Sequence, residues 1–496
     1  MKRLVLPTLV VTLAAGCAVG PDYKRPVVET PESWRVEYTY AAEVANTRWW
    51  EQFDDPALNQ LIDIALRENK DLVIAAARVD RFLGALTTTR GQFFPQIGYN
   101  LDASANRASE VGATPLPAGT DPYYKLYQGG LTAAWEIDLF GRVRRLSEAA
   151  QANVLASEQA RRGVILSVVT TVATSYIGLR ALDRQLEIAR ATAKNYADTL
   201  ALFELRYKGG VVSLLELSQV QSQYQQALAA VPSLERQVAV QENLISILIG
   251  RNPGSIPRDK TIAQLALPAV PGDLPASMLG RRPDILQAEQ NLVAANANIG
   301  AAKALYFPSF SITGLAGSVS TALSDFGTSP AASGTLAATL AGPIFTFGTV
   351  SGQVASAKAG QREALVFYQQ VIQNALRETN DALVGSQKKG EEAAALDKRV
   401  EALREYARLS RLRFDNGTAS YLEVLYAENE LFGAELSAVR ALAERYAELI
   451  NVYKAFGGGW LDLADPLAAP AGNTTGPAAD GGAAATQDDA GLASAP

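Results

Sequence analysis

The reactive side chains of this chain are few, and their types narrow the chemistry before any fold is considered. Among 496 residues there is no His and a single Cys, Cys17. That removes Ser–His and Cys–His nucleophilic pairs, His- or Cys-based metal sites and any intrachain disulfide. Carboxylates remain. Glu136 and Asp138 stand two apart, a spacing that puts both acids on one face of a strand, where such a pair could act as general acid and base. The neighbouring segments supply no obvious group to orient them, so two solvated acids on a polar face is the better reading. No metal and no cofactor is implied. A net charge of −6 offers no basic surface to nucleic acid.

The one thiol has a telling position. Met1-Lys2-Arg3 is basic, and Leu4 to Ala15 is apolar but too short to span a bilayer. Leu13-Ala14-Ala15-Gly16-Cys17 then resembles a bacterial lipobox, in which the signal peptide 1–16 is removed, Cys17 receives a diacylglycerol and the new N-terminus is acylated, as with palmitate. The usual Leu three before Cys is Ala14 here, with Leu13 one further back. Ala18, where an Asp would retain a lipoprotein in the inner membrane, favours the outer membrane by the same resemblance.

The elements that must carry these residues come in two copies. Arg206-Tyr207-Lys208-Gly209-Gly210-Val211-Val212-Ser213-Leu214-Leu215-Glu216 is echoed by Arg413-Phe414-Asp415-Asn416-Gly417-Thr418-Ala419-Ser420-Tyr421-Leu422-Glu423, an offset of 207 residues. Upstream, Arg90-Gly91-Gln92-Phe93-Phe94-Pro95 is echoed by Lys303-Ala304-Leu305-Tyr306-Phe307-Pro308, an offset of 213. Two long halves with one plan indicate a duplicated architecture. The expected division is a leader at 17–56, repeat 1 at 57–249, a Pro-rich equatorial linker at 250–282, repeat 2 at 283–460, and a disordered acidic tail at 461–496.

No proline interrupts 141–207 or 348–414. A proline inside a helix costs about 3 kcal/mol, so each stretch reads as one continuous helix. At about 1.5 Å per residue each is roughly 100 Å long. Each ends at a Gly turn and returns from a Ser, Ser213 or Ser420, suited to cap the next helix. Pro232 lies in the first returning helix, where a kink or break is expected. Between helices the period becomes two. Strands are expected near 96–106, 128–139, 308–319 and 334–346, with one apolar and one polar face. That alternation fits a membrane strand with lipid outside and water inside, placing Glu136 and Asp138 on the lumen side. Open edges cannot face lipid, and membrane barrels begin at about eight strands. Four strands per chain therefore require several chains, and three would give twelve. The helices are charged along their length and overshoot a core of about 30 Å, so they project into water.

Several segments together resemble the OprM-like branch of the TolC outer-membrane efflux family. They are Cys17 with Gly20-Pro21-Asp22-Tyr23-Lys24-Arg25-Pro26, Trp49-Trp50 with Phe53-Asp54-Asp55-Pro56, Asp138-Leu139-Phe140-Gly141-Arg142, Arg282-Pro283-Asp284-Ile285, Phe307-Pro308-Ser309 and Ser420-Tyr421-Leu422-Glu423-Val424-Leu425. The resemblance implies an α+β membrane protein: a homotrimer with a twelve-stranded barrel, a periplasmic α-helical barrel and a mixed equatorial domain. It implies partnership with a periplasmic adaptor and an inner-membrane resistance-nodulation-division pump, and multidrug efflux without chemistry of its own. It places Gly209, Gly210, Ser213, Gly417 and Ser420 at the periplasmic tips that meet the adaptor. Some relatives carry an acid two residues after the tip Gly; Val212 and Ala419 stand there, leaving Asp415 as the candidate gate. Arg206 with Glu216, and Arg413 with Glu423, are spaced to bridge each hairpin. Metal-ion export, type I secretion and a coiled-coil scaffold lipoprotein are the alternative readings.

Overall fold

The computed structural model describes residues 18–35, 47–111, 117, 119–270, 277–457 and 460–468. Cys17 and its signal segment lie outside the described residues. Helix α1 (Pro56–Glu68) starts on Asp55, whose carboxylate accepts the Leu58 amide at 3.0 Å, with proline in its first turn. Asn69 caps α2 (Lys70–Gly91) in the same way, accepting from Asp71 at 2.8 Å. Strands β1 (Gln96–Arg107) and β2 (Tyr123–Ile137) lead into α3 (Arg142–Lys208), which returns as α4 (Leu214–Leu248). The second copy runs α5 (Pro283–Ala304), β3 (Ser309–Ser320), β4 (Ala332–Ala341), α6 (Thr349–Asp415) and α7 (Tyr421–Phe456). A short helix, α8 (Leu461–Ala464), follows.

Both long helices contain 67 residues, and their bounds lie 207 positions apart. The strands form one antiparallel sheet in the order β1-β2-β3-β4. Its register carries the same repeat. Gln96 faces Ala134; shifted by 213 and 207, these become Ser309 and Ala341, which also face each other.

Two strands differ from expectation at their ends. β2 begins at Tyr123 and stops at Ile137, and β4 stops at Ala341. Gly342-Pro343 ends β4 because proline has no amide for the ladder. Ile344, expected on the strand, lies beyond it and is 89% exposed.

Helix α4 runs without a break through Pro232, where a kink or a break was expected. The lost bond would have ended on the Leu228 carbonyl. Leu228 and Pro232 both lie on the exposed side, where water can satisfy that oxygen. Leu234, with Ala230 and Val231, packs against Ile188 and Ala189 of α3, holding both sides of the proline.

The main core gathers residues from both ends of the chain's element order. Trp49, Trp50, Phe53 and Trp460 are fully buried among residues of α1, α3 and α7. Trp49 stacks on Tyr453 at 5.0 Å and Trp50 meets Trp460 edge-on at 5.5 Å. The most apolar stretch of α3 has mean hydropathy 1.5 and is 72% buried, so its apolarity serves this core. The tail is a correction. Residues 461–468 are not disordered: Leu461, Ala464 and Ala468 join the core, and Arg161 holds Asp465 at 2.5 Å. The Leu and Ala side chains of this short stretch were sufficient to dock it; 469–496 lie outside the described residues.

Candidate functional site: the helical tips

At the far end of each hairpin the backbone solves one problem twice. Helix α3 ends with Gly210 at φ 71, and α6 with Gly417 at φ 72. Val211 donates to the Arg206 carbonyl and Gly210 to Tyr207, both at 2.9 Å; Thr418 to Arg413 and Gly417 to Phe414 repeat the pattern at 2.9 Å. This is a Schellman closure, which satisfies the last free carbonyls and needs a residue at ease with positive φ.

The returning helices use equivalent residues differently. In the first tip, the Ser213 hydroxyl accepts from the Glu216 amide at 3.3 Å, and Glu216 accepts from the Ser213 amide at 2.7 Å. This reciprocal box holds the Glu216 carboxyl below the usual carboxylate range, chiefly through the Ser213 amide. The expected Arg206–Glu216 bridge is therefore absent, because the carboxylate is already used at its own helix start. Arg206 instead lies over Phe203 at 5.9 Å and over Phe414 of the other hairpin at 5.7 Å. In the second tip Ser420 makes no side-chain cap, which leaves Glu423 free to meet Arg413 at 2.8 Å.

Aromatic residues tie the two hairpins together. Phe203 packs on Tyr421 at 4.3 Å, Tyr421 on Phe414 at 5.0 Å, and Val220 and Val424 close the cluster. Behind it lies a cleft of about 520 Å³ between α3, α6 and α7, lined in part by Tyr196, Arg408, Arg411, Glu428 and Glu435. The Tyr196 hydroxyl is buried without a hydrogen-bond partner, whereas the Tyr421 hydroxyl faces Thr199 and Arg411. Burial, and then the Glu428 charge, hold the Tyr421 hydroxyl up at about 12. Burial also raises the Glu428 carboxyl above its ordinary value, with Arg411 at 3.7 Å opposing the shift. Sequence reasoning missed this cluster. Its signal was inequality between the copies: Tyr421 stands where repeat 1 has Leu214, and Phe414 where it has Tyr207.

A raised carboxyl stabilises the fold fully at pH below the unfolded value and loses that contribution as pH climbs through the folded one. Glu428→Gln is therefore expected to raise the unfolding midpoint relative to the native protein, by a margin that grows from the ordinary carboxylate range toward neutral pH. Thermal unfolding followed across that range checks it; a margin that shrinks with rising pH would reject the assignment. Asp415, the candidate gate, is 60% exposed at its side chain and lies 3.8 Å from Arg411.

At the other end of the molecule the leader is strapped down. Val19 donates to the Phe140 carbonyl at 3.2 Å, Asn296 donates to the Pro21 carbonyl at 2.9 Å, and Arg145 grips Asp22 at 2.7 Å. Gly20, at φ 121, lies so close to Gly300 that a Cβ on it would come within 2.4 Å of the Gly300 Cα. The described chain thus starts at the junction of β2 and α3, one residue from Cys17. The two strand acids also sit here. Glu136 accepts a bidentate pair from Arg142 at 2.9 and 3.2 Å. Asp138, expected on the lumen face of the strand, lies past its end and accepts the Arg144 amide at 2.8 Å. The formal cap of α3 is Gly141, which has no side chain to offer, so Asp138 satisfies a first-turn amide in its place.

Residues 61–251 and 274–458 match the family described as outer membrane efflux protein. The chain is similar to the solvent efflux pump outer membrane protein SrpC of Pseudomonas putida: 35% identical over 468 residues, which cover 93% of this chain and 99% of SrpC. It is 31% identical over 462 residues to the cation efflux system protein CusC of Escherichia coli O6:H1, covering 92% and 98%. Among solved structures, the open state of the Neisseria gonorrhoeae MtrE outer membrane channel matches with a TM-score of 0.81 at 30% identity, over 90% of this chain and 99% of that one.

Proposed function

Because this chain belongs to the outer membrane efflux protein family, we propose that three copies form the outer-membrane duct of a tripartite pump. In this reading the duct conducts drugs, detergents or other toxic compounds outward, passively, from a periplasmic adaptor and an inner-membrane resistance-nodulation-division pump. The long helices stand in the periplasm, the tips at 206–213 and 413–420 meet the adaptor, and Cys17 carries the lipid anchor.

The observation that carries the reading is the sheet. Its strands have 12, 15, 12 and 10 residues, enough to cross a bilayer when tilted. Ile97, Tyr99, Leu101, Leu131, Leu336 and Leu340 project from it with 60% to 83% exposure. Such a face is at home in lipid and costly in water. The outer edges of β1 and β4 have no strand partner among the described residues. Three copies supply the twelve strands that would close them.

Purified protein in a planar bilayer is expected to give discrete conductance steps. A scaffold lipoprotein would give none, and that outcome would overturn the duct. In the same assay Asp415→Ala is expected to raise conductance by removing charge from the constricted end. An unchanged trace rejects Asp415 as the gate and leaves the duct standing.

A further inference from the structure

We infer that neighbouring subunits join along a β4–β1 seam in one register, with Leu340 opposite Leu101 of the partner subunit, and that this seam is closed at its periplasmic end by Phe347 stacked on Phe94 of the partner subunit. The inference rests on the trimeric reading and deepens it.

The chain contains a template for the contact. Its two repeats already meet once, along the β2–β3 seam, where Ala133 faces Gly314 and Leu131 faces Ala316. The offsets 207 and 213 carry the β1–β2 register onto β3–β4 without slippage: Gly98 opposite Thr132 becomes Ser311 opposite Thr339. The repeats are thus equivalent in hydrogen-bonding phase as well as in sequence. If six equivalent units close a ring, the seam between chains must copy the seam within the chain. Carrying β2 onto β4 and β3 back onto β1 puts Leu340 opposite Leu101 of the partner subunit and Ala338 opposite Ala103 of the partner subunit. Both pairs lie on the apolar face. A slip of one residue would turn every side chain on one strand to the wrong side.

The same operation explains an otherwise unaccounted group of side chains. Within the chain, Phe140 at the end of repeat 1 stacks on Phe307, with centroids 4.7 Å apart and planes 17° from parallel. Phe140 maps onto Phe347 and Phe307 maps onto Phe94. Neither counterpart is covered: Phe347 is 100% exposed and Phe94 67%. The glycines that follow match, Gly141 at φ 76 and Gly348 at φ 91. Phe347 also holds φ 46, a conformation unfavourable for a residue with a side chain. Ile344 and Phe345 beside it are 89% and 81% exposed. An exposed aromatic hook on one edge of the unit and an exposed ring on the other are what a head-to-tail ring requires.

The test uses the full-length protein in membranes. Phe94→Cys and Phe347→Cys in one chain, treated with a short bismaleimide, are expected to give covalent dimers and trimers; each single variant should stay monomeric on a denaturing gel. For the register, Leu101→Cys with Leu340→Cys is expected to form an interchain disulfide on mild oxidation, and Ala103→Cys with Leu340→Cys is not. Native mass of the same samples separates the two levels. A trimer that fails to cross-link at 94 and 347, or that cross-links in the slipped pair, overturns the inference and leaves the trimer intact. Absence of a trimer overturns both.

Discussion

Trp460→Ala is expected to lower stability by about 3–5 kcal/mol, the usual cost of removing a large buried aromatic. The side chain is fully buried and meets Trp49 at 6.2 Å and Trp50 at 5.5 Å, edge to face. These two indoles come from Trp49–Phe53, more than 400 residues earlier in the chain. The substitution therefore opens a cavity where the Trp49–Phe53 segment meets the C-terminal part of the described chain. It should also release Leu461–Ala464, whose burial depends on the same contacts. The bridge from Arg162 to the exposed Asp462 is worth at most about 1 kcal/mol, and the more buried bridge from Arg161 to Asp465 goes with the segment if that segment is released. Denaturant unfolding in detergent gives the loss, and limited proteolysis beyond residue 460 reports the release. A change below about 1 kcal/mol would show that the tryptophan cluster does not clasp this core.

Arg282→Met is expected to cost about 2–3 kcal/mol, from charge-assisted bonds lost and the buried Ala455 carbonyl left with only the Thr379 hydroxyl at 3.5 Å. The guanidinium side chain is 8% exposed. It donates to Asp284 at 2.7 and 3.0 Å, to Glu378 at 2.8 Å and to the Ala455 carbonyl at 2.9 Å. One residue thus joins the start of α5, the middle of α6 and the end of α7. Asp284 and Glu378 are half exposed and can rehydrate, so the loss stays below that of a fully buried pair. Arg282→Lys keeps the charge without the planar fork, and should recover only part of the stability. Equal stability of the Met and native proteins would reject this role.

Much of the architecture was legible because it rests on local rules. Proline-free stretches permitted two long helices, and both have 67 residues. The shift of period from helix to strand located all four strands, although Gly342-Pro343 closed β4 sooner than the apolar pattern suggested. Gly210 and Gly417 were readable as turn residues because positive φ is a property of one residue and its neighbours. The first residues of the tail, 461–468, were misread for the opposite reason. The tail's composition is polar and small on average, but Trp460, Leu461 and Ala464 are buried by partners hundreds of residues away.

The sequence by itself determined the duplication, the lengths of the helices, the alternation of the strands and the family to which they belong. The first three follow from spacing, which survives without knowledge of what lies opposite; the family was read from the resemblance of its motifs. Only the tertiary structure decided which acid does what. Glu216 and Glu423 occupy the same place in the repeat, yet one closes its own capping box and the other bridges to Arg413. Arg206, spaced for a carboxylate, lies over Phe414 of the other hairpin. Pro232 was tolerated because its lost bond faces water and its flanks are packed. A side chain's partner depends on competition among all groups within reach, and the fold alone sets who is in reach.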